Sequence, residues 1–321
     1  EETETNLIAG KFAEYRGFPK DMFSDKTIYI YGGKVGFFTF KEFNRAIAWL
    51  LELPLNAATN ILASGFMQGL GSDAVQILPP VSWVAVVGVV AIMGYYAKNW
   101  TLSIFVGACF VYLAVFGQWE SAMVTLSSIV IAVPFSVVGG LLLGSAGYRW
   151  PWFEKLISPI LDLMQTVPIF AYLVPILFLF GFGPVAAMIA TIMYAMPPMV
   201  RITILALRGV PPEIVDFGNM AGCTRRQLMW KVLVPSAAPS LMVGVNQVIM
   251  LSLNMVIIAS MIGAGGLGYD VLTSLRRLDI GGGLQSGLAI VVLAIALDRL
   301  SQAYAARKQP DHNEGPAKSV L

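Results

Sequence analysis

The long charge-free stretches of this chain constrain its fold most. Residues 163–200 and 232–269 contain no Asp, Glu, Lys or Arg. A helix needs about 20 mainly apolar residues to cross the hydrocarbon core of a bilayer, so each stretch can hold one spanning helix or two. Apolar residues make up 57% of the chain and charged residues 12%, which is too few charges to solvate a soluble protein of 321 residues. The sequence therefore predicts an all-α polytopic membrane protein.

Punctuation by Gly, Pro and charged residues divides the apolar stretches into about seven predicted transmembrane helices. The breaker at 181–184, Gly-Phe-Gly-Pro, separates two of them inside the interval 162–201. Residues 41–70 alternate apolar and polar side chains, which is typical of amphipathic helices on a membrane surface. An eighth span at about 46–70 is the alternative. The other five predicted helices are Pro80–Ala97, Leu102–Gly117, Ala122–Gly144, Leu241–Ile262 and Leu284–Leu300.

This division predicts four regions along the chain. Residues 1–76 form an extracytoplasmic or interfacial N-terminal region, and 77–119 hold two peripheral transmembrane helices. Residues 120–303 form the membrane core, which includes a cytoplasmic loop at 208–235. Residues 304–321 are a polar tail.

The distribution of Lys and Arg predicts the orientation of the helices. Basic residues collect in alternate short loops and in the C-terminal tail, and short basic loops stay in the cytoplasm. The N-terminus is therefore expected outside and the C-terminus inside. The basic residues of these loops and of the tail are Arg149, Lys155, Arg201, Arg208, Arg225, Arg226, Lys231, Arg299, Arg307, Lys308 and Lys318.

Catalytic and metal-binding signatures are missing from the sequence. The single histidine, His312, lies in the polar tail, so His-based metal sites and Ser-His triads have nothing to use. The sequence contains two Gly-Lys pairs, at 10–11 and 33–34, and neither has the glycine spacing of a phosphate-binding loop. We expect no catalytic residues, no metal and no cofactor in this chain. The net charge of +2 gives no reason to expect a nucleic-acid partner.

Uncharged polar residues inside the apolar stretches are candidates for a solute path. The two long intervals lack the titratable groups that a proton relay requires, which disfavours a proton-driven carrier. These polar residues either join helices by hydrogen bonds or line a path for a polar, uncharged or zwitterionic solute. Gln247 and Asn254 share a helix face because they are seven residues apart. The candidates are Gln165, Thr166, Tyr172, Tyr194, Asn246, Gln247 and Asn254.

Small and helix-breaking residues predict close packing and irregular backbone at depth. Gly140 and Gly144 have the small-xxx-small spacing that lets two helices approach closely. Prolines inside a span break the backbone ladder, which is tolerated where protein or a water-lined cavity satisfies the freed carbonyls. The prolines expected to act in this way are Pro134, Pro168, Pro175, Pro197 and Pro198.

The loop at 208–235 is predicted to contain two short helices at a sharp angle. Pro211 and Pro212 can open the first helix at its N-terminus, and Gly222 breaks it. Thr224 is the predicted N-cap of the second helix, which ends before Pro235. The charged residues of these helices are Glu213, Asp216, Arg225 and Arg226.

This loop resembles the coupling loop of ABC-importer permeases. The family pattern is Glu-Ala-Ala, three residues, Gly, nine residues and then Ile-x-Leu-Pro. Aligned on Gly222 and Pro235, the acid of the pattern falls on Asp216. The two alanines fall on Phe217 and Gly218, so the acid is shortened and the first alanine is replaced by an aromatic residue.

Further stretches resemble the glycine betaine/proline (quaternary amine) branch of these permeases. Among them are Leu-Asp-Leu-Met-Gln-Thr-Val-Pro at 161–168, Met-Pro-Pro-Met-Val-Arg at 196–201 and Gly-Val-Asn-Gln at 244–247. Another is Ile-Ala-Ser-Met-Ile-Gly-Ala-Gly-Gly-Leu-Gly at 258–268. The resemblance covers about residues 120–303.

The resemblance implies a type I ABC-importer permease in a bacterial cytoplasmic membrane. Two permease copies would associate with two cytoplasmic ATPase subunits, which bind ATP and Mg, and with an extracytoplasmic solute-binding protein. The implied solutes are small methylated amines: glycine betaine, proline betaine, choline, carnitine or trimethylamine N-oxide. An ATP-independent secondary carrier or channel for small zwitterions is the alternative. The residues implied to couple to the ATPase are Glu213, Asp216, Phe217, Gly218, Gly222, Arg225, Arg226 and Pro235.

Overall fold

The computed structural model describes residues 27–31, 34–38, 41–68 and 75–307. The chain divides into two compact units, Glu1–Leu50 and Leu51–Leu321. The predicted membrane core and its cytoplasmic loop lie in the second unit. The tail beyond residue 307 lies outside the described residues.

Two short β-hairpins occur in the N-terminal region, where the sequence predicted amphipathic helices alone. Strands β1 (Thr27–Tyr31) and β2 (Lys34–Phe38) pair antiparallel. Strands β3 (Phe66–Gln68) and β4 (Val75–Leu78) form the second antiparallel pair. The first hairpin has a physical reason in the run Thr-Ile-Tyr-Ile-Tyr at 27–31, because β-branched and aromatic residues favour strands.

Helix α1 (Lys41–Thr59) connects the two hairpins and continues into a π-helical turn at Asn60–Ser64. The segment Asn44–Ser64 has a mean hydropathy of 1.3 and is long and apolar enough to cross a membrane. Its side chains are only partly covered: Leu51 is buried, whereas Trp49 is exposed. The segment therefore meets the length and composition of the alternative eighth span as well as those of a surface helix.

The helices of 83–307 follow the predicted segments in order, and each of the seven predicted segments contains a helix. They are α2 (Trp83–Ala97), α3 (Trp100–Val115), α4 (Trp119–Arg149), α5 (Pro151–Thr166), α6 (Ile169–Phe180), α7 (Pro184–Arg208), α8 (Pro212–Met220), α9 (225–236), α10 (Ala238–Asn254), α11 (Val256–Met261), α12 (Leu267–Arg277) and α13 (Ile280–Arg307). Among the described residues, α4, α7, α10 with α11, and α13 are each long and apolar enough to span, as is Asn44–Ser64. Helices α2 and α3 are shorter, with 15 and 16 residues.

The fourth predicted transmembrane helix is not one straight element. Helices α5 and α6 meet at 104° across a break at Val167 and Pro168. Val167 is extended, with φ −71° and ψ 132°, because the ring of a following proline disfavours helical backbone. The predicted break before α7 is confirmed, since Gly181 and Gly183 separate α6 from α7.

Four of the five prolines expected to break the backbone ladder lie inside continuous helices, where each removes a hydrogen bond without ending the helix. Only Pro168 stands at a helix boundary. A proline inside a helix removes one backbone hydrogen bond, and the packed neighbouring turns keep the helix continuous. The four prolines inside continuous helices are Pro134, Pro175, Pro197 and Pro198.

The two peripheral helices form a hairpin that packs on the last helix. Ser103 donates a hydrogen bond from its Oγ to the Ala91 carbonyl at 2.7 Å, which joins α3 to α2. Arg307 Nη1 donates to the Tyr96 carbonyl at 2.6 Å. The turn after α2 and the end of α13 therefore lie at the same end of the bundle.

The centre of the core is the close contact of α4 with α7. A Cβ at Gly140 would lie 2.6 Å from Met199 Cβ, and a Cβ at Gly144 would lie 2.5 Å from Thr203 Cβ. Real side chains cannot approach that closely, so the glycines let the two helix backbones come together. The predicted role of the small-xxx-small spacing is confirmed.

Adding one methyl group at this contact is expected to destabilise the protein. Gly144→Ala should lower the melting temperature, because overpacking a filled interface costs about 1–3 kcal/mol. Gly88→Ala is the matched control, since no atom lies within 4 Å of the position that its Cβ would take. It should leave stability unchanged or raise it, because Ala favours helix over Gly by about 1 kcal/mol. Thermal unfolding of the purified protein in detergent measures both, and equal shifts would contradict the packing role of Gly144.

Candidate functional site

The first helix of the loop, α8, ends in a Schellman motif built on Gly222. Gly222 has φ +73°, the left-handed region that glycine adopts at low cost. Its N–H donates to the Asn219 carbonyl at 3.0 Å, and the N–H of Cys223 donates to the Gly218 carbonyl at 3.1 Å. No atom lies within 4 Å of the position that a Cβ on Gly222 would take. Glycine is therefore needed here for its backbone conformation rather than for space.

The second helix, α9, begins with the predicted cap. Thr224 accepts a hydrogen bond on Oγ1 from the N–H of Gln227 at 3.3 Å, and its own N–H donates to Gln227 Oε1 at 2.9 Å. This reciprocal pair is a capping box, which satisfies two backbone donors that the first helical turn leaves free. Helix α9 contains a π-helical stretch at Leu228–Leu233.

The two short helices pack against each other at Gly218. A Cβ on Gly218 would lie 2.6 Å from Leu228 Cδ1, so the missing side chain lets α9 lie against α8. Gly218 is buried, whereas its neighbour Phe217 is 69% exposed. The two positions that depart from the family's paired alanines thus have opposite environments. Gly218 lets α9 lie against α8, and Phe217 presents an aromatic ring to the outside.

Three large apolar side chains of this loop are exposed. Phe217, Met220 and Trp230 are 69%, 81% and 42% exposed. Exposed apolar side chains rimmed by polar residues are typical of surfaces that contact another protein. The charged residues Glu213, Asp216, Arg225 and Arg226 are also exposed, and so is Pro235.

The loop is anchored to the membrane core rather than hanging free. Met229 and Leu233 of α9 are buried in a cluster with Leu207 at the end of α7 and Leu241 in α10. The cluster fixes α9 between the two helices that the loop connects. Any force on the loop therefore reaches α7 and α10 through packed side chains.

Two predicted path residues share an exposed face of α10. Gln247 and Asn254 are both exposed, and they alternate on this face with the exposed apolar residues Val243 and Met250. An amide side chain facing lipid would lose its hydrogen bonds to water. This face is therefore suited to a water-lined path or to a protein neighbour.

Tyr172 and Tyr194 lie together against one apolar cluster, although they come from different helices. The cluster is formed by α6, α7 and α11 and includes Leu173, Ala190 and Ala259. The Tyr172 hydroxyl is buried and has no hydrogen-bond partner among the described residues. A buried hydroxyl without a partner is costly, so it is available to a ligand or a water molecule.

Asn246 contacts a structural partner instead. Its Oδ1 accepts a hydrogen bond from Ser301 Oγ, which joins α10 to α13. Gln165 and Thr166 lie at the exposed end of α5, where Thr166 Oγ1 donates to the Asp162 carbonyl at 2.9 Å. The structure therefore forms two separate pairs: Tyr172 with Tyr194, and Gln247 with Asn254 on α10. It does not assemble all seven candidates in one place.

The glycine-rich run at 263–268 forms a junction between helices. In the sequence, this run is notable only because it resembles the family. The N–H of Gly183 donates to the Ile262 carbonyl at 2.9 Å, and the N–H of Leu267 donates to Thr125 Oγ1 at 2.9 Å. A Cβ on Gly266, which has φ +84°, would lie 2.4 Å from Thr125 Oγ1. The glycines of this run let its backbone pack directly on three neighbours: Gly266 on α4, Gly263 on Gly183 and Gly268 on Val256.

No group of three or more His, Cys, Asp or Glu side chains that could hold a metal ion occurs within the part of the chain that the structure describes. Two ion pairs instead join α5 to α7. Arg201 pairs with Asp162, and Arg208 pairs with Glu154. These pairs have the geometry of helix-to-helix contacts.

A bundle of apolar helices with a two-helix loop anchored in its core defines a multi-pass membrane protein. Residues 136–309 match the family of binding-protein-dependent transport system inner membrane components. The chain belongs to this family.

Relatives with assigned functions are similar over most of the core. The trimethylamine N-oxide transport system permease protein TmoV of Ruegeria pomeroyi is 40% identical over 82% of this chain and 39% of its own length. The glycine betaine/proline betaine transport system permease protein ProW of Escherichia coli is 49% identical over 58% of this chain and 53% of its own length. The glycine betaine transport system permease protein OpuAB of Bacillus subtilis is 35% identical over 70% of this chain and 79% of its own length. The chain thus spans about two fifths to one half of the length of the first two proteins.

The fold is similar to that of a solved transporter. The MetNI methionine ABC transporter, determined in inward-facing conformations, aligns with a TM-score of 0.54 at 20% identity. The alignment covers 58% of this chain and 94% of that chain. This likeness shows that the helical core has the fold of an ABC-transporter membrane subunit.

Proposed function

We propose that this chain is the transmembrane permease subunit of a binding-protein-dependent ABC importer for small methylated amines. The observation that carries the proposal is the loop at 208–235. Its Schellman motif at Gly222, capping box at Thr224 and exposed Phe217 and Met220 present two rigid helices and an apolar surface to a partner protein. These features lie at the spacing of the family's coupling loop.

The solute class rests on the relatives. Their names specify trimethylamine N-oxide, glycine betaine, proline betaine and carnitine. All four solutes are small and methylated on nitrogen, and all are neutral overall. The core of this chain suits them because residues 163–200 and 232–269 contain no charged side chain that would bind an ion of one sign.

The proposed assembly contains two copies of this permease, two cytoplasmic ATPase subunits and an extracytoplasmic solute-binding protein. ATP and Mg are held by the ATPase subunits, and this chain needs no cofactor of its own. The exposed amide face of α10, with Gln247 and Asn254, supports the second copy, because such a face needs protein or water beside it. The solute path would run along this face and past Tyr172 and Tyr194.

The proposed orientation places the loop at 208–235 in the cytoplasm of a bacterium and the N-terminus outside the inner membrane. The contact of Arg307 with Tyr96 supports it, because it brings Lys98 to the basic end of α13. Lys98 and Arg307 therefore lie at the same end of the bundle, and the positive-inside rule assigns that end to the cytoplasm.

Uptake measurements test the function directly. Vesicles that contain the permease, its ATPase and its binding protein should accumulate labelled glycine betaine or trimethylamine N-oxide only when ATP is inside. Uptake should survive a protonophore, because the core contains no titratable relay at 163–200 or 232–269. Uptake that is lost on adding the protonophore at constant ATP would favour the secondary carrier instead.

Two substitutions of Gly222 test the coupling role of the loop. Gly222→Val should lower the ATP hydrolysis stimulated by solute-loaded binding protein about tenfold, because left-handed backbone costs an ordinary residue about 1–2 kcal/mol. Gly222→Asn should keep most of the stimulation, since Asn tolerates this conformation and the space beside Gly222 is open. Asp216→Asn removes a charge without changing shape and should weaken stimulation less than Gly222→Val does. Wild-type stimulation in the Val variant would contradict a coupling role.

Cysteine labelling tests the orientation. The experiment uses a chain without Cys109 and Cys223. An impermeant reagent added outside should modify Phe182→Cys and spare Met220→Cys. Both positions are exposed; Phe182 precedes α7, and Met220 is the last residue of α8. Tyr15→Cys should also be modified from outside. If Phe182→Cys reacts and Tyr15→Cys does not, the segment Asn44–Ser64 spans the membrane and the N-terminus is inside. The opposite result at Phe182 and Met220 would overturn the whole orientation.

A further inference from the structure

A small cavity lies where α4, α7 and α10 meet, and side-chain hydroxyls line it. Thr125 and Ser128 come from α4, Thr191 from α7 and Ser252 from α10. The rest of the lining is apolar, with Ile129, Ala132, Ala187 and Val256 among it. Hydroxyl groups from three helices thus line one small space in the membrane core.

Ser252 is the side chain in this cavity that most needs a partner. It is 1% exposed, and its Oγ makes no hydrogen bond to any described residue. A serine in a helix can donate to the carbonyl four residues earlier, as Ser127 and Ser136 do here. Ser252 does not, so its proton is directed at no protein acceptor. Leaving a buried hydroxyl unsatisfied costs about 1–3 kcal/mol.

The other hydroxyls of the cavity have already donated their protons. Thr191 Oγ1 donates to the Ala187 carbonyl at 2.9 Å, and Ser128 Oγ donates to the Val124 carbonyl at 3.3 Å. Each retains a lone pair that can accept a hydrogen bond. The cavity therefore contains one free donor, on Ser252, and free acceptors on two other helices.

The space is large enough for water. It offers about 30 Å³ to the centre of a water molecule. One water occupies about 10–15 Å³ and needs two to four polar partners. A water that accepts from Ser252 and donates to Thr191 and Ser128 would satisfy all three hydroxyls.

We propose that this cavity is a buried water site, held by Ser252, Thr191 and Ser128, that joins α4, α7 and α10. It lies two residues before α10 ends at Asn254 and beside Pro184, where α7 begins. The water links three helices by hydrogen bonds that can be remade when one helix shifts, so the junction is joined without a direct side-chain bond.

Substitution of Ser252 gives results of opposite sign for a wet and a dry cavity. If a water is bound, Ser252→Ala removes one of the hydrogen-bond partners of that water. The melting temperature of the purified full-length protein should then fall by about 2 °C. In a dry cavity the same change removes an unsatisfied hydroxyl, and the melting temperature should stay the same or rise. An unchanged or raised melting temperature therefore overturns the proposal.

Thr203→Val is the matched control. Thr203 is also fully buried with an unpartnered hydroxyl, but it packs against Gly144 and does not line the cavity. Its substitution should leave the melting temperature unchanged or raise it, because it removes an unsatisfied group without disturbing a water. A fall equal to that of Ser252→Ala would show that lost packing, not lost water, explains both, and would overturn the proposal.

A double substitution tests whether the two hydroxyls share one water. Thr191→Val keeps the shape of the side chain and removes its acceptor, so it too should lower the melting temperature. Residues that bind the same water should be non-additive, and the double variant with Ser252→Ala should lose less than the sum of the single losses. Additive losses would overturn the shared site. In an experimental structure at high resolution, an ordered water within hydrogen-bond distance of Ser252 Oγ is expected, and an empty cavity would overturn the proposal.

Discussion

The close approach of α4 to α7 is the contact on which the membrane core depends. Lipid chains are as apolar as leucine, so burial of apolar surface does not drive helices together inside a bilayer, and close packing must do so. Gly140 and Gly144 permit that packing. Met199 lies against Gly140 and also against Gly244 of α10, so one side chain fills the junction of three helices. The loop, the bend before α6 and the hydroxyl-lined cavity are all attached to these three helices.

Features that depend on local chemistry could be predicted from the sequence. The lengths of the charge-free runs predicted the apolar helices, and the glycine spacing predicted the contact of α4 with α7. In the loop, Gly222 and Thr224 have the residue types that end and begin helices, and both have these roles in the structure. The end of α12 was less predictable, because Leu278 takes the left-handed position that glycine usually occupies, with φ 56°. A leucine carries no stop signal, and the helix end is held by local hydrogen bonds from the Leu278 N–H to the Leu275 carbonyl at 3.2 Å and from the Asp279 N–H to the Ser274 carbonyl at 2.9 Å.

Features that depend on which elements become neighbours could not be predicted in the same way. Proline composition did not distinguish Pro168, which separates two helices, from Pro197 and Pro198, which lie inside one. Polarity alone gave Asn246 and Gln247 the same interpretation as path residues. The structure pairs Asn246 with Ser301 and leaves Gln247 exposed. Adjacent residues on a helix point about 100° apart, and only the packing determines which of them meets a partner.

The ion pairs between α5 and α7 connect the loop to the candidate path. An exposed ion pair contributes only about 0–1 kcal/mol, so Asp162–Arg201 and Glu154–Arg208 matter more for the register of the two helices than for stability. Helix α7 ends at Arg208, beside the cluster that anchors α9, and α5 leads through the break at Val167 and Pro168 into α6 with Tyr172. A displacement of this end of α7 by a partner of the loop would therefore move α5 with it. Such a movement would alter the 104° bend at Pro168, which has no N–H to donate, and with it the position of Tyr172.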